Sequence, residues 1–182
     1  VALAVKEILF LPEDVIQQRF NIKEDEGVII ELMGKVTEGM VGTGFLYTNK
    51  ESLTIGVGCM LSDFKANPLR TKPYELLEKL KKHPSIAPMI EGGEMKEYCA
   101  HLIPEGGFNA VPRLYGPGWL IVGDSGGFVN AVHREGSNLA MTSGRLAGET
   151  VIAMKAAGQE PSAASLKLYK DKMDESFVMK DL

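Results

Sequence analysis

Apolar and smaller residues alternate along 53–60, where the apolar set consists of Leu53, Ile55, Val57 and Cys59. This period of two predicts a strand with one apolar face, and the strand pairs with 45–47 in a predicted hairpin around 48–52. The opposite face carries Gly56 and Gly58 and is therefore smooth. Two interpretations of that face remain open: a surface against which a ligand lies, or glycines at a bulge or beneath a packed helix.

Further strands are predicted at 1–11, 28–36 and 95–103, and a short one at 119–122. Helices are predicted at 13–20, 73–82, 137–157 and 161–178, where apolar residues recur at spacings of three and four. The predicted buried faces of the last three helices comprise, in order, Leu76, Leu77 and Leu80; Leu139, Met141 or Thr142, Leu146, Thr150 and Met154; and Leu166, Tyr169, Met173 and Phe177. The predicted fold class is α/β, in an α+β-like arrangement of a mixed or antiparallel sheet and long helices.

Composition excludes several classes of function. The 182 residues are 45% hydrophobic and carry 20 basic and 24 acidic side chains. The resulting net charge of −4 does not indicate a nucleic-acid-binding protein, which would need an excess of basic side chains. Two cysteines, Cys59 and Cys99, are too few for an iron–sulfur cluster, and no metal site is expected. The absence of a signal peptide and of a long apolar run favours a cytoplasmic protein, with any membrane contact peripheral, at the inner membrane face.

The candidate chemistry lies in the run from Gly118 to Phe128, where an apolar strand ends in a Gly-rich turn ahead of a long helix. Glycines let the backbone approach a ligand closely, and a helix start offers unpaired N–H groups to electron-rich atoms. The residues around Ser125 also match the sequence around the nucleophile of chymotrypsin-like proteases. Long helices follow, however, and Phe128 replaces the proline usual in that family, so a protease is not favoured. A first dinucleotide fingerprint, G-x-G-x-x-G, is not found.

The segments that carry a family resemblance are 44–49, 104–107, 118–124, 126–130, 134–144, Tyr169 and 175–177. Together they resemble the second flavin-binding motif of FAD-dependent oxidoreductases with the p-hydroxybenzoate-hydroxylase architecture. The resemblance is closest to FixC flavoproteins, which are similar to electron-transfer-flavoprotein:quinone oxidoreductase. It implies that residues 1–103 form a substrate-type β-sheet domain and that 104–182 form the second FAD-binding segment with its following helices.

For the site, the resemblance implies that FAD is held by Gly123, Asp124, Gly126, Gly127, Gly136, Ser137 and Asn138. The helix-start N–H groups would stabilise negative charge on the flavin edge, and Asp124 would accept a hydrogen bond from a ribityl hydroxyl. A turn residue that bonds its own backbone is the alternative for Asp124. His133 and Arg134 follow the turn, either contacting the flavin edge or remaining exposed.

For function, the resemblance implies an oxidoreductase that takes electrons from an electron-transfer flavoprotein and passes them toward quinone or a ferredoxin-like protein. Two alternatives remain: a geranylgeranyl-reductase-like or monooxygenase-like flavoenzyme acting on an organic substrate, and a non-catalytic interaction module. Because the first half of the FAD site is missing, the chain is interpreted as a piece of a larger enzyme. By itself it is expected to be inactive and to lack FAD. The backbone edge of 119–122 is expected either to be covered in some other way or to lie open to partners, in which case the chain would self-associate.

Overall fold

The computed structural model describes residues 1–132 and 134–182. These residues form two compact units, Val1–Leu102 and Ile103–Leu182. The first unit is organised around a β-sheet and the second around helices.

The first unit contains a five-stranded sheet with the order β2-β3-β4-β1-β5. Its strands are β1 (Ala2–Phe10), β2 (Ile29–Leu32), β3 (Gly42–Thr48), β4 (Ser52–Met60) and β5 (Glu94–Ile103). The β1–β4, β2–β3 and β3–β4 pairs are antiparallel, with Val5 opposite Val57 and Phe45 opposite Gly56. The predicted antiparallel sheet and the 45–60 hairpin are therefore confirmed.

The strand predicted at 28–36 is wrong at its far end. It stops at Leu32, and a 3-10 turn at Lys35–Thr37 follows. Gly34 has φ 94°, a left-handed conformation that ends the extended run and that glycine adopts without strain.

Helices of the first unit are α1 (Glu13–Phe20), α2 (Leu61–Ala66), α3 (Pro73–Lys81) and α4 (Ala87–Ile90). Helix α3 begins after Lys72, whose backbone N–H donates to Glu75 Oε2 at 2.8 Å and so satisfies a group at the helix start. Its predicted apolar face is confirmed as buried: Leu76, Leu77 and Leu80. These side chains join the alternating apolar residues of β4 in one core.

Cys59 belongs to this core, where burial raises the pKa of its thiol to about 11. The thiol therefore remains protonated at neutral pH and behaves as a small apolar side chain. On the opposite face of β4, the ring of Phe45 occupies the space above Gly56 and stacks on Tyr47. The ring of Phe45 on the neighbouring strand, rather than a bulge or a packed helix, thus explains why residue 56 is glycine.

The second unit contains a two-stranded ribbon, β6 (Tyr115–Gly116) with β7 (Trp119–Leu120), and the helices α5 (Ser137–Ala156), α6 (Ala163–Glu175) and α7 (Val178–Asp181). Helix α5 ends in a Schellman motif: Gly158 N–H donates to Lys155 O, and Gln159 N–H donates to Met154 O. The core of this unit includes Leu114, Phe128, Leu139, Tyr169 and Met173.

Three predictions for the second unit are wrong in detail. The strand predicted at 119–122 ends at Leu120, because β6 offers only two residues of pairing. The helix predicted at 161–178 is two helices, since Ser176 is extended, and Phe177 is exposed while Val178 is buried. Of the two predicted alternatives on α5, Met141 is exposed and Thr142 is half-buried, while the neighbouring Ser143 is buried.

Candidate functional site

The site begins at the ribbon that leads into the Gly-rich turn. Pro117 and Gly118 join β6 to β7, and Gly118 has the positive φ of 78° that the second central residue of a type II turn requires. Beyond β7, Ile121 N–H donates to Leu114 O at 2.8 Å. The carbonyl of Ile121 accepts a hydrogen bond of 2.8 Å from the hydroxyl of Tyr169. A side chain of α6 therefore covers a carbonyl that a further strand would otherwise bond.

The Gly-rich turn itself is a 3-10 turn at Gly123–Gly126 that ends in left-handed Gly127. Gly127 N–H donates to Asp124 O at 2.9 Å, and Gly123 and Gly127 have φ angles of 60° and 74°. A Cβ on Gly126 would lie 2.7 Å from the ring of Phe128. Left-handed backbone and the close aromatic ring together account for glycine at all three predicted positions.

The turn is fixed to helix α5 by a buried serine that the sequence analysis did not identify. Gly123 N–H donates to Ser143 Oγ at 3.0 Å, and the Ser143 hydroxyl donates to Ala140 O at 2.9 Å. Ser143 lies four residues after Leu139 on the buried helix face. That spacing is the signal that points to Ser143, whereas the predicted face contains Met141 or Thr142 at this turn of the helix.

The start of α5 lies beside Asp124. Asp124 Oδ1 is 3.8 Å from the place where a Cβ on Gly136 would be, so the missing side chain leaves room for the carboxylate. Asn138 folds back, because its Oδ1 accepts from Leu139 N–H and its Nδ2 donates to Glu135 Oε2. Within the described part of the chain, no group accepts from the backbone N–H of Ser137 or Asn138.

All seven predicted residues thus belong to one turn-and-helix-start arrangement in the second unit. Gly123 and Gly126 are buried, whereas Asp124 and Ser137 are exposed. Arg134 is half-buried with a left-handed φ of 56°, next to the paired Asn130 and Glu135. His133 lies outside the described residues. The assignment of these residues to FAD stays a prediction.

Tyr169 is a second residue whose role in this region the sequence did not reveal. Replacing it by phenylalanine removes the hydrogen bond to Ile121 O, and we expect the free energy of unfolding to fall by about 1 kcal/mol. Burial raises the pKa of its phenol to about 12 from an ordinary 10. The phenol of the unfolded chain loses its proton near pH 10, whereas that of the folded chain keeps it to about pH 12. Deprotonation therefore favours the unfolded chain, and the free energy of unfolding of the wild type should fall as the pH rises from about 10 to 12.

Urea unfolding at pH 8, 10 and 11.5, followed by circular dichroism, tests the Tyr169→Phe prediction. The difference between the two proteins should shrink with rising pH, because the variant has no phenol to titrate. Cys59 weakens both proteins equally above pH 9 and so cancels in the comparison. A difference that is independent of pH would contradict this account.

The first unit contains a cavity of about 300 Å³ between the 32–38 segment and helix α3. Its lining is mostly apolar, with charged and imidazole groups among the remaining side chains: Leu32, Met33, Lys35, Val36, Glu38, Leu76, Lys79, Leu80, His83 and Ile86.

Comparison with solved structures defines the fold. The chain is similar to a geranylgeranyl bacteriochlorophyll reductase-like protein from Thermoplasma acidophilum, with a TM-score of 0.66 and 14% identity over 96% of this chain and 39% of that one. It is also similar to a flavin-dependent brominase, with a TM-score of 0.62 and 17% identity over 95% of this chain and 40% of that one. The predicted α/β class, with its antiparallel sheet, is confirmed as a fold shared with flavin-dependent enzymes.

A family model described as "ETF-QO, ubiquinone-binding" matches residues 2–103, more than half of the chain. The chain therefore belongs to that family. It is 61% identical to protein FixC of Azotobacter vinelandii over 181 residues, covering 100% of this chain and 42% of the relative. It is 43% identical to the probable electron transfer flavoprotein-quinone oxidoreductase YdiS of Escherichia coli K12, and the match covers 100% of this chain and 42% of that relative.

The predicted resemblance to FixC and to electron-transfer-flavoprotein:quinone oxidoreductase is confirmed by these relatives. The chain spans about two fifths of the length of the curated relatives it matches. Among the described helices, none is both long enough and apolar enough to cross a membrane.

Proposed function

We propose that the longer protein to which this chain corresponds is an FAD-dependent electron-transfer oxidoreductase. It would take electrons from an electron-transfer flavoprotein and pass them toward quinone or a ferredoxin-like protein. The family description and the names of the relatives support this direction. In the structure, the supporting observation is Asp124 beside an α5 start whose first N–H groups have no acceptor within the described part of the chain.

The residues present fit FAD. Ser137 and Asn138 would direct their N–H groups at the electron-rich edge of the flavin, and Asp124 would accept from a ribityl hydroxyl. Gly123 and Gly127 supply the left-handed backbone of the turn, and the Ser143 hydroxyl holds the turn at its distance from α5. When bound, the flavin supplies the one- and two-electron chemistry, and the protein contributes position and electrostatics.

We also propose that residues 1–103 form the substrate-type domain and 104–182 the second FAD-binding segment.

An acceptor such as quinone dissolves in the lipid bilayer, so a cytoplasmic protein that reduces it must reach the membrane surface. Peripheral contact at the cytoplasmic face of the inner membrane is therefore part of the proposal.

The test is FAD affinity of the longer protein, measured by flavin fluorescence on reconstitution of the apoprotein. Asp124→Ala should weaken binding about tenfold, the loss of one hydrogen bond of ordinary strength. Asp174→Ala is the matched control, because Asp174 is an exposed aspartate of α6 that pairs with Lys170. Equal affinities of the Asp124 variant and the wild type would reject the assigned role.

The 182-residue chain is expected not to bind FAD stoichiometrically, because only one of the two flavin motifs is recognised in it. The same titration on the purified chain checks this expectation. Tight, one-to-one binding would mean that the site is complete within these residues.

A further inference from the structure

Two buried hydroxyl groups on different helices hold the backbone that enters the Gly-rich turn. The Tyr169 hydroxyl of α6 donates to Ile121 O at 2.8 Å, and the Ser143 hydroxyl of α5 accepts from Gly123 N–H at 3.0 Å. Both side chains are 0% exposed. Because the ribbon pairs only as far as Leu120, helical side chains rather than a strand provide these two bonds. We call Ser143 and Tyr169 the hydroxyl pair.

The hydroxyl pair is joined to the helix backbone and to itself. Burial raises the pKa of the Tyr169 phenol, and the neighbouring Ser143 hydroxyl lowers it in part. The Ser143 hydroxyl donates its proton to Ala140 O at 2.9 Å, which leaves its lone pairs to accept from Gly123 N–H. Turn and helix also touch here, since a Cβ on Gly123 would lie 3.4 Å from Ala140 Cβ. The turn is therefore fixed along α5 by a hydrogen bond and a close contact.

The distance that the hydroxyl pair fixes separates the two predicted flavin contacts. Asp124 directly follows Gly123, and its Oδ1 is 3.8 Å from the Cβ position on Gly136, the residue before α5. In the proposed function, Asp124 anchors the ribityl chain while the N–H groups of Ser137 and Asn138 face the flavin edge. One ligand that spans both contacts binds well only if their spacing is constant.

Packing alone does not require hydroxyl groups at these two positions. Alanine is a better helix former than serine, and phenylalanine has nearly the volume of tyrosine with no hydroxyl to desolvate. What the hydroxyl pair adds is its bonds to the Ile121 carbonyl and the Gly123 N–H. Both of these backbone groups belong to the segment that leads into Asp124.

We propose that Ser143 and Tyr169 are positioning residues that set the reduction potential of bound FAD, because they hold Asp124 in register with the start of α5. Reduction adds negative charge to the flavin edge, so the α5 N–H groups stabilise the reduced form more than the oxidised form. Loss of either hydroxyl lets the ribityl anchor move away from the helix start, which weakens the binding of reduced FAD most. The proposal rests on the proposed function and adds two residues that act on the flavin through Asp124.

The reduction potential of the FAD-loaded longer protein, measured by spectroelectrochemical titration, tests the proposal. Ser143→Ala and Tyr169→Phe should each weaken the binding of reduced relative to oxidised FAD about tenfold, which lowers the two-electron potential by about 30 mV. Thr150→Val is the matched control, because Thr150 is also 0% exposed on α5 and its hydroxyl donates within the helix, to Leu146 O. An unchanged potential in either hydroxyl-pair variant, or an equal fall in the control, would overturn the proposal.

A double variant distinguishes positioning from a general loosening of the core. If Ser143 acts through Asp124, Ser143→Ala should add little to the change in potential that Asp124→Ala already causes, because the anchor that it positions is gone. Fully additive changes would contradict the positioning role. Circular dichroism checks that each variant is folded. Tyr169→Phe keeps the buried ring, so it tests the proposal even if Ser143→Ala does not fold.

Failure of this proposal can be told from failure of the proposed function. The proposed function is tested by the affinity of Asp124→Ala for oxidised FAD, whereas the hydroxyl pair is tested by the potential of variants that keep Asp124. If Asp124→Ala weakens FAD binding while the hydroxyl-pair variants have the wild-type potential, only the positioning role is wrong. If Asp124→Ala leaves FAD affinity unchanged, the flavin assignment is rejected and the positioning role with it.

Discussion

Replacing Phe128 by alanine is expected to lower the free energy of unfolding by about 3–5 kcal/mol, the cost of deleting a fully buried aromatic side chain. The ring is 0% exposed and belongs to the core cluster with Leu114, Leu139 and Tyr169. It also lies against Gly126, where a Cβ would come within 2.7 Å of it. The same side chain therefore supports both the core of the second unit and the Gly-rich turn.

Chemical denaturation followed by circular dichroism measures this effect, with Phe108→Ala as the matched control. Phe108 is 55% exposed, so its removal should change stability by less than about 0.5 kcal/mol. Similar losses in the two variants would show that Phe128 does not anchor the turn. A loss confined to the Phe128 variant would link the stability of the second unit to the candidate site.

Elements with a long, consistent period were predictable from the sequence. Helix α1 has the predicted bounds, α3 and α5 differ from theirs by one residue, and the 45–60 hairpin forms as expected. Helices α2 and α4, with six and four residues, were not predicted. So short a segment contains at most two turns, and its apolar spacing cannot distinguish a helix from a loop.

The errors in helix faces have a common cause. The spacing of apolar residues places Phe177, and Met141 as an alternative to Thr142, on buried faces, yet Met141 and Phe177 are exposed. On α5 the buried position belongs to Ser143, whose hydroxyl is satisfied by Ala140 O while it accepts from Gly123. Hydrophobicity alone does not predict a buried hydroxyl, because its partner depends on how distant segments pack.

The candidate site was predictable as a local pattern and not as a network. The strand, the glycines and the helix start follow one another within residues 118–138, so their order could be inferred directly. The contacts that fix them join residues 20 and 48 positions apart, Gly123 with Ser143 and Ile121 with Tyr169. Such pairs follow from tertiary packing, which the spacing of residues along the chain does not predict.

Gly56→Ala is expected to destabilise the chain by about 3 kcal/mol, the upper end of the usual range for overpacking. A Cβ on Gly56 would lie 2.2 Å from Phe45 Cζ and 2.7 Å from the backbone oxygen of Val5. The ring could rotate away, but Val5 belongs to the paired strand β1, so its carbonyl can move only if the sheet opens. Thermal and urea unfolding of the variant measure the loss.

Gly148→Ala is the matched control for Gly56→Ala, and its expected effect has the opposite sign. Gly148 lies inside helix α5 with nothing within 4 Å of its Cβ position, so alanine should stabilise the chain by about 0.5–1 kcal/mol. Phe45→Leu combined with Gly56→Ala shows which neighbour matters. Recovery of most of the stability would assign the clash to the ring, whereas no recovery would assign it to the β1 backbone. If Gly56→Ala alone is neutral, the smooth face of β4 is not filled by Phe45, and the ligand-facing interpretation of that surface regains its support.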